Sequence, residues 1–528
     1  MNDNNKCPYC SRPDVGSFSP VSLNNRSFVD EESSLYQRLD QVQSLMGQLL
    51  IEKHKLLLRL NSIRSATRNV PSEVLSLIFE EACRGPAQVR EEQTEEMPLE
   101  EPPMPLKDAG AIKSILLRLG KVSSRWRSVI HSTPRLWAVW SLWLDPYDFK
   151  YRVAMMTEYI RLSKNLPLTI TLNFDFSEVD EPGDEDWTVP STLKSALWEN
   201  RSRVRTLHLC DPPRYWVQRI STFSSLRELS LDYSDLSSLT AGQISMTDCP
   251  HLVKLTLIDC REWMGLHTPP STALTHVSLL KVHVSLAITI LLRSPLLIDF
   301  QCLTLDWSPE QFSPPDMTKP VLLEHLQKLA WDISGIDDRR ESIELHHGLL
   351  RALHLPALKS LLWKTSKNAE ADPGYHPLLK TFFSRLISLK SLVIERTDYL
   401  PFRTEYQASM LPSQVELIVL RSWFPSRLFD FVKSEVLVDS EGQQVGCPLP
   451  HLRRLSIYRL RQGPTPDQLG SMITNLLERR PNPLTVSLDV ASTSEFISGL
   501  GERLRHLEGL EGRFEFTHYG KKVDYHQR

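Results

Sequence analysis

One six-residue spacing of apolar side chains recurs through the last two-thirds of the chain, and it constrains the fold more than any other feature. VRTLHL begins at Val204, LRELSL at Leu226, LVKLTL at Leu252, LTHVSL at Leu274, LIDFQC at Leu297, LQKLAW at Leu326, LKSLLW at Leu358, LKSLVI at Leu389 and LRRLSI at Leu452. A weaker VELIVL begins at Val415. The first eight starts lie 22, 26, 22, 23, 29, 32 and 31 residues apart. In a strand, successive side chains point to opposite faces, so the last two apolar residues of each stretch share one face and the residues between them take the other. One such unit cannot bury its own leucines, whereas a stack of units shares a continuous core.

The rhythm resembles that of leucine-rich repeats. LDYS, LIDC and IERT stand where that family carries asparagine, so the likeness lies in the period rather than in any single unit. The resemblance implies a degenerate repeat solenoid over residues 146–528, opening at LPLTITLNFDF near Leu166 and capped at GRFEFTHYGKK near Phe514. The outward strand positions then include Thr206, His208, Ser230, Thr256, Ser278, Asp332, Lys364 and Glu395. The candidate contacts for a protein ligand are Glu228, Asp232, Lys254, His276, Lys328, Arg454 and Tyr458. Both signs of charge alternate among these positions, which points to no single ligand class.

The other end of the chain has a different period. Apolar residues at 35, 39, 42, 46, 49, 56, 60 and 63 alternate steps of four and three, with Lys53 filling the missing slot. That heptad seam predicts a long helix over residues 31–67, which either pairs with a second copy or folds back onto its own chain. Leu50, Ile51, Leu57 and Leu58 widen the stripe, which favours packing onto the next element.

The next element is RNVPSEVLSLIFEEACRG, where Pro71 opens a helix. Its apolar residues cover more of the circumference than one neighbour requires. A second helix runs through Ile112, Ile115, Leu116, Leu119 and Val122, and a third carries Trp126, Val129 and Ile130 before STPRLW ends it. VPSEVLSLIF followed by GKVSSRWRSVIHSTPRLW is similar to the F-box, and STPRLW to the F-box-like domains of fungal families. Val70 and Ser123 replace that pattern's Leu and Cys. The resemblance implies a small helical domain over 68–145 that docks its surplus apolar face on a Skp-type adaptor, and through it a cullin. Pro71, Glu73, Val74 and Leu75 are the adaptor-binding candidates, with Ile78 and Trp126 as further candidates whose alternative place is the bundle core. An apolar surplus left after internal packing points independently to a protein partner.

Residues 84–110 hold six glutamates and five prolines and read as a flexible acidic insertion. A net charge of -3 gives no reason to expect nucleic acid or an anionic membrane as partner, and no apolar run is long enough to span a bilayer. The start lacks the apolar stretch of a signal peptide, so the expected location is cytoplasmic or nuclear, with reduced thiols. Cys7-Pro-Tyr-Cys10 resembles the glutaredoxin motif but has no preceding strand and no helix to follow it. Residues 1–30 are therefore read as a disordered tail, a metal site shared between molecules being the alternative. HHGLLRALH, with His346, His347 and His354, lacks a carboxylate at helical spacing and reads as a surface helix linking repeats. No catalytic residues, cofactor site or metal site are expected.

The chain is thus expected to be α/β: a heptad helix, an F-box-like bundle and a repeat solenoid. Its expected function is substrate recognition in a Skp/cullin/F-box ubiquitin ligase, the repeats holding the target protein. The alternative is an interaction scaffold that self-associates through the N-terminal helix without joining a ligase.

Overall fold

A computed structural model describes residues 28–64, 67–83, 109–144, 149–174, 191–233, 243–245, 249–260, 265–267, 273–306, 317, 319–332, 340–365, 372, 374–396, 411–421, 437–438, 444–446, 449–458, 465–479, 484–489, 514–518 and 521–522. The Cys7/Cys10 pair and most of the acidic insertion lie outside them. The chain divides into two compact units, residues 1–75 with 119–128, and residues 76–118 with 129–528.

The larger unit is mixed α/β, built on one 15-stranded sheet whose strands lie side by side in chain order. They are β1 (Val139–Leu144), β2 (Leu168–Phe174), β3 (Val204–Cys210), β4 (Glu228–Asp232), β5 (Lys254–Ile258), β6 (His276–Leu280), β7 (Asp299–Leu303), β8 (Lys328–Asp332), β9 (Ser360–Thr365), β10 (Ser391–Arg396), β11 (Leu417–Arg421), β12 (Arg454–Tyr458), β13 (Thr485–Asp489), β14 (Phe514–His518) and β15 (Lys521–Lys522). Every neighbouring pair is parallel except β14 with β15.

All ten repeated hexapeptides enter this sheet, each contributing one of the strands β3 to β12. Their alternation sets the face: Leu255 and Leu257, Val277 and Leu279, Phe300 and Cys302, and Leu329 and Trp331 are all buried. The leucine that opens each stretch is buried too, Leu226, Leu252, Leu274 and Leu297 among them. One backbone contact recurs just before the strands: Arg227 N–H donates to Arg205 O at 2.8 Å, Val253 to Arg227 at 2.7 Å, Thr275 to Val253 at 2.9 Å and Ile298 to Thr275 at 2.8 Å. Repetition of one turn keeps the register, because a slip of one residue would turn every leucine outward.

A second recurring device follows the strands. Asp211, Asp259, Lys281 and Thr304, each one residue beyond its strand, adopt φ near +50° to +55°. None is glycine, although that region disfavours other residues. Each N–H finds an acceptor on the next strand or turn: Asp211 on Asp232 O at 2.6 Å, Asp259 on Leu280 O at 2.8 Å, and Lys281 on Leu303 O at 3.0 Å. At Thr304 the acceptor is the Asp332 carboxylate, at 2.8 Å.

The sheet starts one strand earlier than the rhythm suggests. VWSLWL, placed with the helical domain by sequence, is β1 and pairs with β2 from Val139/Thr169 to Leu144/Phe174. It has the strand alternation but not the hexapeptide's opening leucine. Leu484, fully buried, likewise precedes β13.

Among the described residues the α-helices of nine residues or more are α1 (Phe28–Arg64), α2 (Ser72–Cys83), α3 (Ala109–Val122), α4 (Ser124–Ser132), α5 (Phe149–Leu162), α6 (Ser191–Glu199), α7 (Val284–Arg293), α8 (Arg340–Ala352), α9 (Tyr375–Ser384) and α10 (Pro466–Arg479). None of the described helices is long and apolar enough to cross a membrane.

Candidate functional site

In the smaller unit, the loop before α2 is pinned by two side chains of α4. Arg125 donates from Nη1 to Thr67 O at 2.9 Å and to Arg68 O, and from Nη2 to Val70 O. Trp126 Nε1 donates to Thr67 Oγ1 at 3.0 Å. These bonds fix the chain just before Pro71, whose carbonyl accepts from Leu75 N–H at 3.0 Å and so starts the helix.

Helix α2, whose residues 76–83 are counted with the larger unit, has two apolar faces. Leu75, Phe79 and Cys83, spaced by four, are buried, the first two at 1% exposure. Val74, Leu77 and Ile78 are 43%, 58% and 50% exposed. Pro71 and Glu73 are exposed as well, and Trp126 is half-buried. The sequence expectation is thereby corrected at Leu75, which is buried and offers no free surface. Ile78, also a candidate, is exposed together with Val74, because the 100° step of the helix groups Leu75 with Phe79 and Ile78 with Val74.

Helix α1 was expected to bury its stripe on the next element. It does not: Leu35, Leu39, Val42, Met46, Leu49, Leu56, Leu60 and Ile63 are each between 41% and 69% exposed.

In the larger unit the outward face of the sheet forms rows in register. The central row is polar through Thr171, His208, Ser230, Thr256, Ser278 and Gln301. It then turns apolar at Ala330, Leu362, Val393 and Val419, and returns to Ser456 and Ser487. The four apolar residues are buried as one cluster, with Leu303, Leu417 and Tyr458 packed against it. Sequence reasoning missed this second core, although the A, L, V and V at those positions were its signal. Burial is also felt in the polar part, where it holds the His208 imidazole down to about 4, with a smaller push from the Lys254 charge.

The row toward the strand starts carries Glu228, Lys254, His276, Asp299 and Lys328 as successive neighbours. Lys254, His276 and Lys328 are exposed and Glu228 half-buried, so this row retains presentable charge. Burial raises the Asp299 carboxyl above the usual range. The row toward the strand ends is different. There Asp332, fully buried, pairs with Lys364 at 3.1 Å, and Glu395 with Arg421 at 3.7 Å. The expected outward role of Asp232 and Asp332 is corrected, since both are buried at their strand ends, at 6% and 0% exposure. Tyr458 and Arg454 are half-buried, and Tyr458 spends part of its surface on the apolar cluster.

His346 and His347 do lie on a helix, α8, but not at its surface. His346 is fully buried against Trp363 and Tyr375, with ring centroids 5.6 and 5.8 Å away, and Trp363 Nε1 donates to Tyr375 Oη at 3.1 Å. His347 Nε2 lies 3.2 Å from the Asp372 carboxylate, a partner 25 residues on in sequence rather than at helical spacing. Among the described residues, no group of three or more His, Cys, Asp or Glu side chains is placed to hold a metal ion. No family model matches the chain, and no curated protein matches it.

Proposed function

We propose that this chain is the substrate-recognition subunit of a Skp/cullin-type ubiquitin ligase, acting in the cytoplasm or nucleus. Its F-box-like segment binds the adaptor through the outward face of α2, and a leucine-rich-repeat solenoid binds the protein to be modified. The observation that carries the reading is the division of α2: Leu75 and Phe79 inward at 1% exposure, Val74, Leu77 and Ile78 outward at 43–58%. Aliphatic side chains so presented on a rigid helix are the material of a protein interface core. The pinned loop before Pro71 adds preorganisation, which lowers the entropy cost of binding.

Target recognition falls to the row from Glu228 to Lys328. Lys254, His276 and Lys328 in it are exposed, while the charges at the strand ends of β8 to β11 are neutralised by one another. The chain brings two proteins together and makes or breaks no bond itself.

The test is co-purification of the tagged full-length chain from cells under mild conditions, with its partners identified by mass spectrometry. Recovery of an adaptor and a cullin is the expected result. Recovery of the chain with neither would refute the ligase reading and favour the scaffold.

A further inference from the structure

The exposed stripe of α1 and the charges beside it specify a partner. With Leu39 at a heptad a position, Met46, Lys53 and Leu60 are also at a, and Leu35, Val42, Leu49, Leu56 and Ile63 are at d. The helix of 37 residues is about 55 Å long at 1.5 Å per residue, ample for a stable seam. An apolar stripe of that length on a water-facing helix marks an interface.

Charge decides the orientation. Residues 28–46 carry Asp30, Glu31, Glu32 and Asp40 against Arg38, a net of -3. Residues 47–64 carry Lys53, Lys55, Arg59 and Arg64 against Glu52, a net of +3. A parallel copy would set like charge against like, and an antiparallel copy opposite against opposite. The g positions repeat the message in finer detail, reading Glu31, Arg38, Leu45, Glu52 and Arg59. Reversed about Leu45, that series faces Glu31 with Arg59 of a second copy and Arg38 with Glu52. Glu52 already lies 3.7 Å from Lys55 of its own helix, but both side chains are more than half exposed, so the contact is weak and yields to a better one. In a parallel pair g residues meet e residues instead, here Tyr36, Gln43, Leu50 and Leu57, which carry no charge, and Arg64, which would face Arg59 of the other copy.

We propose that α1 is a dimerisation element that pairs antiparallel with α1 of a second copy of the chain. The proposal is independent of the ligase reading, since it uses neither α2 nor the sheet. Lys53 at a then meets no second Lys53, whereas a parallel seam would place the two side by side.

Light scattering on the purified full-length chain at micromolar concentrations tests it. The expected mass is twice 60.7 kDa, and Leu49→Glu with Leu56→Glu should return it to the single-chain mass. Arg38→Glu alone sets acid against Glu52 at both ends of the seam and should raise the dissociation constant about tenfold. Adding Glu52→Arg in the same chain should restore it. Circular dichroism confirms that each variant is folded, and the charge variants keep the test decisive should the leucine variant unfold. A monomeric wild type, a dimer that survives the leucine changes, indifference to Arg38→Glu, or no restoration by Glu52→Arg would each overturn the proposal.

Discussion

Leucine meets opposite fates in two regions of this chain. In the sheet, Leu229, Leu231, Leu255, Leu257 and Leu279 are at most 1% exposed, while in α1 Leu35, Leu49 and Leu56 are 59–69% exposed. Composition does not separate the two regions; the presence of a neighbour does. Each strand is followed by another that repeats its period and register, so every leucine meets its counterpart from the unit before and the unit after. Helix α1 has no such counterpart among the described residues, and its stripe stays exposed.

The largest effect should come from cutting into the sheet side of that comparison. Leu257→Ala removes a fully buried side chain from mid-stack and should cost about 2–5 kcal/mol in urea unfolding. Leu49→Ala in α1 should stay within about 0.5 kcal/mol when the protein is held monomeric by dilution. Similar costs at the two positions would break the contrast.

Acid should sharpen it next. Burial, with a smaller push from the His347 charge, holds His346 down to about 3. Below about pH 6.5 the unfolded chain takes up a proton that the folded one refuses, so stability falls from there toward pH 3 and levels off beneath. Between pH 7 and pH 4 this one group should remove about 3 kcal/mol from the sheet-bearing unit. His346→Phe should flatten the pH dependence measured by thermal unfolding, and an unchanged slope would show that His346 accepts its proton in the folded state.

Asp332→Ala comes third, at about 2 kcal/mol. It leaves the Thr304 N–H without its acceptor and Lys364 without its partner at 3.1 Å. Chemical denaturation of this variant beside Glu228→Ala, expected to be nearly neutral, separates a structural carboxylate from a presented one. The smallest effect lies in α1, where a Cβ added at Gly47 would meet nothing within 4 Å. Gly47→Ala should raise helix stability by up to about 1 kcal/mol, read by the helical signal of circular dichroism on heating.

The sheet was largely legible in the sequence because its information is periodic. Ten hexapeptides named strands, and ten strands formed. What was missed lacked the period: VWSLWL has alternation without the opening leucine, and the outward run Ala330, Leu362, Val393 and Val419 is visible only once the strands are set in register. The phase of α2 was not legible either. Leu75 with Phe79 and Val74 with Ile78 are equally apolar pairs, and choosing between them requires knowing which side the core lies on. His346 and His347 read as part of a surface helix because no carboxylate stands at helical spacing to them, yet aromatic neighbours from β9 and α9 enclose them. Those neighbours, Trp363 and Tyr375, stand 17 and 28 residues along the sequence from His346 and His347.

The account turns on the outward face of α2. Its most direct measurement is the affinity of purified Skp-type adaptor for the full-length chain, by calorimetry, for wild type and for Val74→Ala with Ile78→Ala. If that face is the interface core, the wild type binds and the double variant, folded by circular dichroism, binds tens-fold or more weakly, at about 1 kcal/mol or more per side chain. A folded wild type that does not bind the adaptor, or a double variant that binds it equally well, would contradict the account.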